Sequence, residues 1–194
     1  MKTLLAHLSS TLVEINHPIL ELLEPPLSRK EIEGILTRAK LGRNEKIISL
    51  YEFCGWLNPS NLFNDTYTEL LPFGFPLNFR GTISAYCLKK DDKILSKRLP
   101  LMTNKKGDFI VVDLDEKSRN YGKLMACVTG EFFFDTTEYS KLVSIYDSAE
   151  TFIKTIDECY KVGAYQLSGR IINIDKEMER KVSEKLNPQS DFWK

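Results

Sequence analysis

The sequence predicts an α+β fold, a single domain in which a mostly antiparallel sheet is flanked by helices from the first and last thirds of the chain. Three observations carry that expectation. Apolar residues recur at helical spacing from Leu4 to Ile19 and again from Phe152 to Tyr160. The middle of the chain holds short runs rich in Val, Ile, Phe and Tyr, bounded by Gly, Asn and charged residues, which read as strands. Those runs follow one another through short connections, which antiparallel strands accept and parallel strands do not. With 194 residues, 42% of them hydrophobic, one domain can bury a sizeable core.

The first segment places Leu4, Leu5, Leu8, Leu12, Ile15 and Ile19 on one helical stripe. Its apolar stretch is interrupted by His7, Ser9 and Ser10 and no A-x-A site follows, so it reads as an amphipathic helix rather than a secretion signal. The prolines of "LEPPLS" (23–28) stop it. Ser28 with Glu31 forms a capping-box pattern for a second helix, striped by Ile32, Ile35, Leu36 and Ala39 and ended at Gly42. A third helix is expected around 44–54, with Ile47, Ile48, Leu50, Tyr51 and Cys54 inward.

The stretch "LPFGFPLNFRG" (71–81) reads as a loop or bulge with packing aromatics. Strands are expected at 82–89, 108–115, 123–130 and 131–135, with "KKDDK" (89–93) as a turn. Asp147 followed by Glu150 predicts the cap of a further helix, striped by Phe152, Ile153, Ile156 and Tyr160 and closed by Gly163. Residues 170–186 read as a short extended piece and then a polar helix. The domain is taken as 1–194, with a first helical segment 1–24, a core 25–165 and an extension 166–194.

The 27 basic and 27 acidic residues cancel, which argues against a protein built to bind nucleic acid without sequence preference. No run approaches the roughly 18 apolar residues of a membrane span. The four cysteines are far apart and the two histidines, His7 and His17, share the first segment, so neither a zinc cluster nor a disulfide framework is expected. Scattered thiols suit buried positions in a reducing compartment, and the expected location is cytoplasmic.

Chemistry is sparse. GxSxG, GxxxxGK[ST] and GxGxxG are all missing, and a histidine base is poorly placed to serve a Ser or Cys nucleophile. The stretch "KKGDFIVVDLDEKS" (105–118) sets Asp108, Asp113 and Asp115 around an apolar centre. In a strand, Asp113 and Asp115 would share a face about 7 Å apart, a spacing that could serve a divalent cation or acid–base hydrolysis. The favoured reading is a central strand whose polar ends enter turns; a metal-dependent hydrolase on Asp108, Asp113 and Asp115 stays the alternative.

Charge is uneven in one place. Residues 131–160 hold seven acids against two lysines, a net of −5. This is either a solvated, helix-capping face or an acidic surface that steers a basic partner. In the second case Glu131, Asp135, Glu138, Tyr139, Asp147 and Glu150 are the candidate partner-binding residues, with Tyr146 as a further aromatic anchor. The phenylalanines Phe73, Phe75 and Phe79 could line a small-ligand site, but plugging the sheet's edge is the simpler account.

Taken in order, these segments resemble the SUKH superfamily, the group of the fungal Smi/Knr cell-wall regulator and many bacterial immunity proteins. "LSRKEIEGILTRAKLGRNEKIISLYEFCG" (27–55) is similar to its opening helices, with Leu50, Tyr51 and Phe53 at aromatic positions and Cys54-Gly55 where the family has Asn-Gly. "LPLMTNKKGDFIVVDLD" (99–115) resembles the family's Pro…Gly-Asp…Asp strand through Pro100, Gly107, Asp108 and Asp113. "IYDSAETFIKTIDECYKVGAY" (145–165) looks like its closing helix. The resemblance implies a non-enzymatic α+β domain without cofactors that binds another protein. For bacterial members that partner is a cognate toxin, often a nuclease, here expected at one-to-one stoichiometry; a regulatory scaffold is the alternative within the family.

Overall fold

Helix α1 (Lys2–Glu14) turns Leu5, Leu8, Thr11 and Leu12 inward, as the heptad-like spacing of its leucines requires. The computed structural model describes residues 1–60, 67–89, 95–104, 106–128 and 141–194. After α1 a 3₁₀ turn (Pro18–Leu22) carries proline at its first position, where the missing N–H costs nothing. Helix α2 (Arg29–Arg38) starts with the Ser28–Glu31 capping box, in which both the backbone N–H and the hydroxyl of Ser28 donate to the Glu31 carboxylate. Asn44 caps α3 (Glu45–Phe53) by accepting from the N–H groups of Lys46 and Ile47.

Gly42 does not end α2. The helix closes earlier, at Ala39, with Lys40 in the left-handed region at φ 56° and the N–H of Leu41 reaching back to the Leu36 carbonyl. Gly42 answers a different demand: a Cβ there would sit 2.4 Å from the carbonyl oxygen of Leu114. Two chain segments 72 residues apart meet too closely for any side chain.

Among the described residues a five-stranded antiparallel sheet runs in the order β1-β2-β3-β4-β5: β1 (Phe75–Pro76), β2 (Arg98–Thr103), β3 (Phe109–Asp113), β4 (Leu124–Val128) and β5 (Lys141–Tyr146). Strand β3 is third of five, and its side chains divide between two apolar clusters. Ile110 and Val112 join the main core with Leu99, Leu124 and Ile145. Val111 packs on the other face with Leu95, Met125 and Cys127. Pro100 sits where the β2–β3 register shifts, consistent with a residue that cannot donate to a ladder.

One expected strand is overturned. Residues 82–89 are helical, not a strand: α4 runs Phe79–Lys89. Asn78 starts it, its side-chain oxygen accepting from the Gly81 N–H at 2.7 Å and its carbonyl from the Thr82 N–H. Phe79, Thr82 and Tyr86 are buried at a spacing of three and four, while Ser84, Cys87 and Leu88 face out. Strands β2 and β5 were not foreseen. The expected strand 131–135 and all but the first residue of the turn 89–93 lie outside the described residues.

Helix α5 (Ala149–Lys161) is capped by Ser148 with Thr151, not by Asp147 with Glu150. Its stripe of Phe152, Ile153, Ile156 and Tyr160 is buried as expected, and Gly163 at φ 79° follows its end. A hairpin, β6 (Tyr165–Ser168) and β7 (Ile171–Ile174), turns at Gly169 and leads to the polar helix α6 (Lys176–Leu186), capped by Asp175. Helix α5 packs against α1, α3 and α6. Among the described residues no helix is long and apolar enough to cross a membrane.

Candidate functional site

The three aspartates of the 105–118 stretch do not converge. Strand β3 ends at Asp113, so Asp115 lies in the following turn and shares no strand face with it. Asp113 is fully buried. Its Oδ1 accepts from the Asp115 N–H at 2.9 Å, its Oδ2 from the Ser118 hydroxyl at 2.8 Å, and Arg98 Nη2 lies 3.5 Å away. The carboxylate therefore organises the 113–122 turn, which the Gly122 N–H closes on the Asp113 carbonyl.

Asp115 pairs with Lys97 Nζ at 3.1 Å and accepts from the Lys117 N–H. Lys97 first, then the Lys117 N–H, hold its carboxyl below the usual range. Asp108 accepts from Asn104 Nδ2 at 3.0 Å, while Asn104 Oδ1 takes the N–H groups of Lys106 and Asp108. Each carboxylate is thus tied to its own turn. Among the described residues no group of three or more His, Cys, Asp and Glu side chains could hold a metal ion.

Of the acidic region, Glu131, Asp135, Glu138 and Tyr139 lie outside the described residues. Asp147 and Glu150 flank the start of α5. Glu150 pairs with Lys46 Nζ at 2.7 Å, which ties α5 to α3 and lowers its carboxyl pKa. Asp147 Oδ2 accepts from the Gln189 N–H at 3.1 Å, and the Asp147 N–H donates to Asn187 Oδ1. Asp157 is buried between Thr11 and Lys161, whose donors lie 2.6 and 2.5 Å from its two oxygens. Glu158 is exposed. Tyr146 is a core residue, edge-to-face with Phe152, not a surface anchor.

The aromatic and thiol candidates resolve in the same way. Phe75 forms β1 at the sheet's edge, and Phe79 lies tilted against Tyr51 with ring centroids 4.7 Å apart; both are buried. Cys54, Cys127 and Cys159 are buried, with burial pushing the Cys54 and Cys159 thiols up to about 12; Cys87 is exposed because α4 is a helix. His7 is exposed and His17 buried.

Two features were not read from the sequence. A polar pocket of about 220 Å³ lies between the Lys40–Gly42 turn and the 114–117 turn, with Lys40, Lys97, Lys117 and the acids Asp115 and Glu116 on its walls. The residues after α6 fold back over β5, where Ser190 and Trp193 bond its carbonyls. The only sequence signal for the second was an aromatic pair, Phe192-Trp193, in an otherwise polar stretch.

No protein-family model and no curated protein matches this chain.

Proposed function

We propose that the chain is a non-catalytic protein-binding module of the SUKH type, an immunity protein that binds a cognate toxin one-to-one in the cytoplasm and silences it. The order of elements supports the reading. Capped α2 and α3 are followed by an antiparallel sheet whose third strand, β3, runs from Phe109 to Asp113 with Asp108 just before it, and then by α5 with its Ser148 cap. That is the arrangement the resemblance implies.

The observation that carries the non-catalytic part is the state of Asp113. Its two oxygens are occupied by a backbone N–H, a hydroxyl and a nearby guanidinium inside a turn of its own chain, which leaves it little freedom to serve a substrate. Asp108 and Asp115 belong to different turns, so a hydrolase would have to dismantle three local structures to assemble its site.

The test is affinity capture of the tagged chain from its host, first at low and then at moderate salt. A single stoichiometric partner whose toxic activity is silenced in the complex is the expected result. Many substoichiometric partners would favour a regulatory scaffold, and no partner would overturn the binding reading.

A further inference from the structure

The turn that ends α2 and the turn that follows β3 pack backbone on backbone. A Cβ at Gly42 would sit 2.4 Å from the Leu114 carbonyl oxygen, and the Leu114 N–H donates to the Lys97 carbonyl at 2.9 Å. Three chain segments thus meet around the pocket of about 220 Å³, which Lys40, Lys97 and Lys117 border together with Asp115 and Glu116.

Two of those lysines stand where the backbone favours glycine. Lys40 follows the α2 C-cap at φ 56°, the position at which helices most often place Gly. Lys97 has φ 59° and is third in a turn closed by the Arg98 N–H on the Leu95 carbonyl at 3.0 Å, again a place for Gly or Asn. Among the described residues four besides glycine have positive φ, and two of the four border this one pocket. A Cβ in the left-handed region costs stability at each. The Lys97–Asp115 pair is exposed and offsets little of that cost, and the Lys40 side chain points into solvent-exposed surroundings. Strain held at two side chains of one cleft points to a use for them beyond packing.

The charges select the ligand. Lys97 Nζ and the Lys117 N–H already hold Asp115, which leaves the ammonium groups of Lys40 and Lys117 against the single carboxylate of Glu116. A monoanion balances that excess. Lysine ammoniums are point charges on flexible stems and take a carboxylate without the planar fork of arginine. Leu41 and Leu114 add an apolar wall. The volume is that of roughly seven liquid waters, room for a short-chain acid and too little for a nucleotide.

We propose that this pocket binds a small organic monocarboxylate, with Lys40 and Lys117 on its carboxylate and Leu41 and Leu114 against its aliphatic end. The site goes beyond the partner-binding reading and does not depend on it.

The probe is sodium butyrate, titrated into the full chain and followed by the amide shifts of Gly42, Glu116 and Lys117, with sodium chloride and sodium phosphate as separate arms. Saturable shifts with a millimolar dissociation constant are expected for butyrate. Shifts that never saturate, or that chloride reproduces, overturn the proposal, and tighter saturable binding of phosphate overturns the carboxylate assignment. The variant Lys40→Gly separates ligand binding from stability. It removes the left-handed cost, so it should melt above wild type while binding butyrate about ten-fold more weakly. A lower melting temperature makes Lys40 structural and overturns its role, as does unchanged binding. Lys117→Ala should also weaken butyrate binding with no change in melting, and unchanged binding in both variants overturns the site.

Discussion

His17 Nε2 lies 3.0 Å from the hydroxyl of Tyr160, and that hydroxyl donates onward to the Leu70 carbonyl at 2.8 Å. His17 Nδ1 accepts from the Ile19 N–H, so the ring proton sits on Nε2 and the imidazole is neutral. One buried histidine thereby joins the end of α1, the last turn of α5 and the 67–71 segment.

Burial lowers the His17 pKa from 6.5 to about 4. The unfolded chain takes up this proton before the folded one does, so the stability is full above pH 6.5 and is lost as pH falls toward 4. Urea unfolding should show a loss of about 2 kcal/mol between pH 7 and pH 5 from this group. Glu179, whose pKa burial raises, works in the opposite direction but is present in every variant. The difference between wild type and His17→Gln isolates the histidine, and a difference that does not change with pH would refute its role.

Asp157 joins α5 to α1 through Thr11, 146 residues away. Replacing it with alanine leaves the Thr11 hydroxyl without this acceptor in a buried place and frees Lys161. A loss of about 2 kcal/mol is expected in denaturant unfolding, with Asp157→Asn retaining part of it.

Asp113→Asn should weaken the 113–122 turn and lower stability by about 1–3 kcal/mol, because the Arg98 guanidinium loses a nearby charge and the turn a strong acceptor. Titration calorimetry with Mg²⁺, Mn²⁺ and Ca²⁺ should give no binding heat in wild type or variant. Heat in the wild type that vanishes in the variant would revive the hydrolase.

Two glycines should respond to alanine in opposite directions. Gly34 lies inside α2 with nothing within 4 Å of a Cβ, so Gly34→Ala should stabilise by up to about 1 kcal/mol. Gly42→Ala puts a methyl 2.4 Å from a backbone carbonyl and should destabilise by about 2 kcal/mol or more. Thermal melts of the two variants give the comparison directly.

Glu150→Lys breaks the pair with Lys46 at a cost of no more than about 1 kcal/mol, since both groups are well exposed. If the acidic region steers a basic partner, the variant should slow association and flatten its salt dependence. Unchanged kinetics would remove Glu150 from the interface.

Features set by near neighbours could be read directly from the residues. The Ser28–Glu31 box, the inward faces of α1, α3 and α5, the Gly163 stop and the burial of β3 were legible because each depends on residues within a few positions. Tertiary structure decided the rest. Residues 82–89 carry Thr, Ile and Tyr, types that suit a strand, yet the Asn78 cap and burial of Phe79, Thr82 and Tyr86 on one side make them a helix. Ser148 displaced Asp147 as the α5 cap, and Asp147 instead bonds Asn187 and Gln189, some forty residues on. The partner of a local cap is written nearby in the chain, whereas the close approach at Gly42 and the Trp193 seat on β5 depend on segments that meet only once the core has closed.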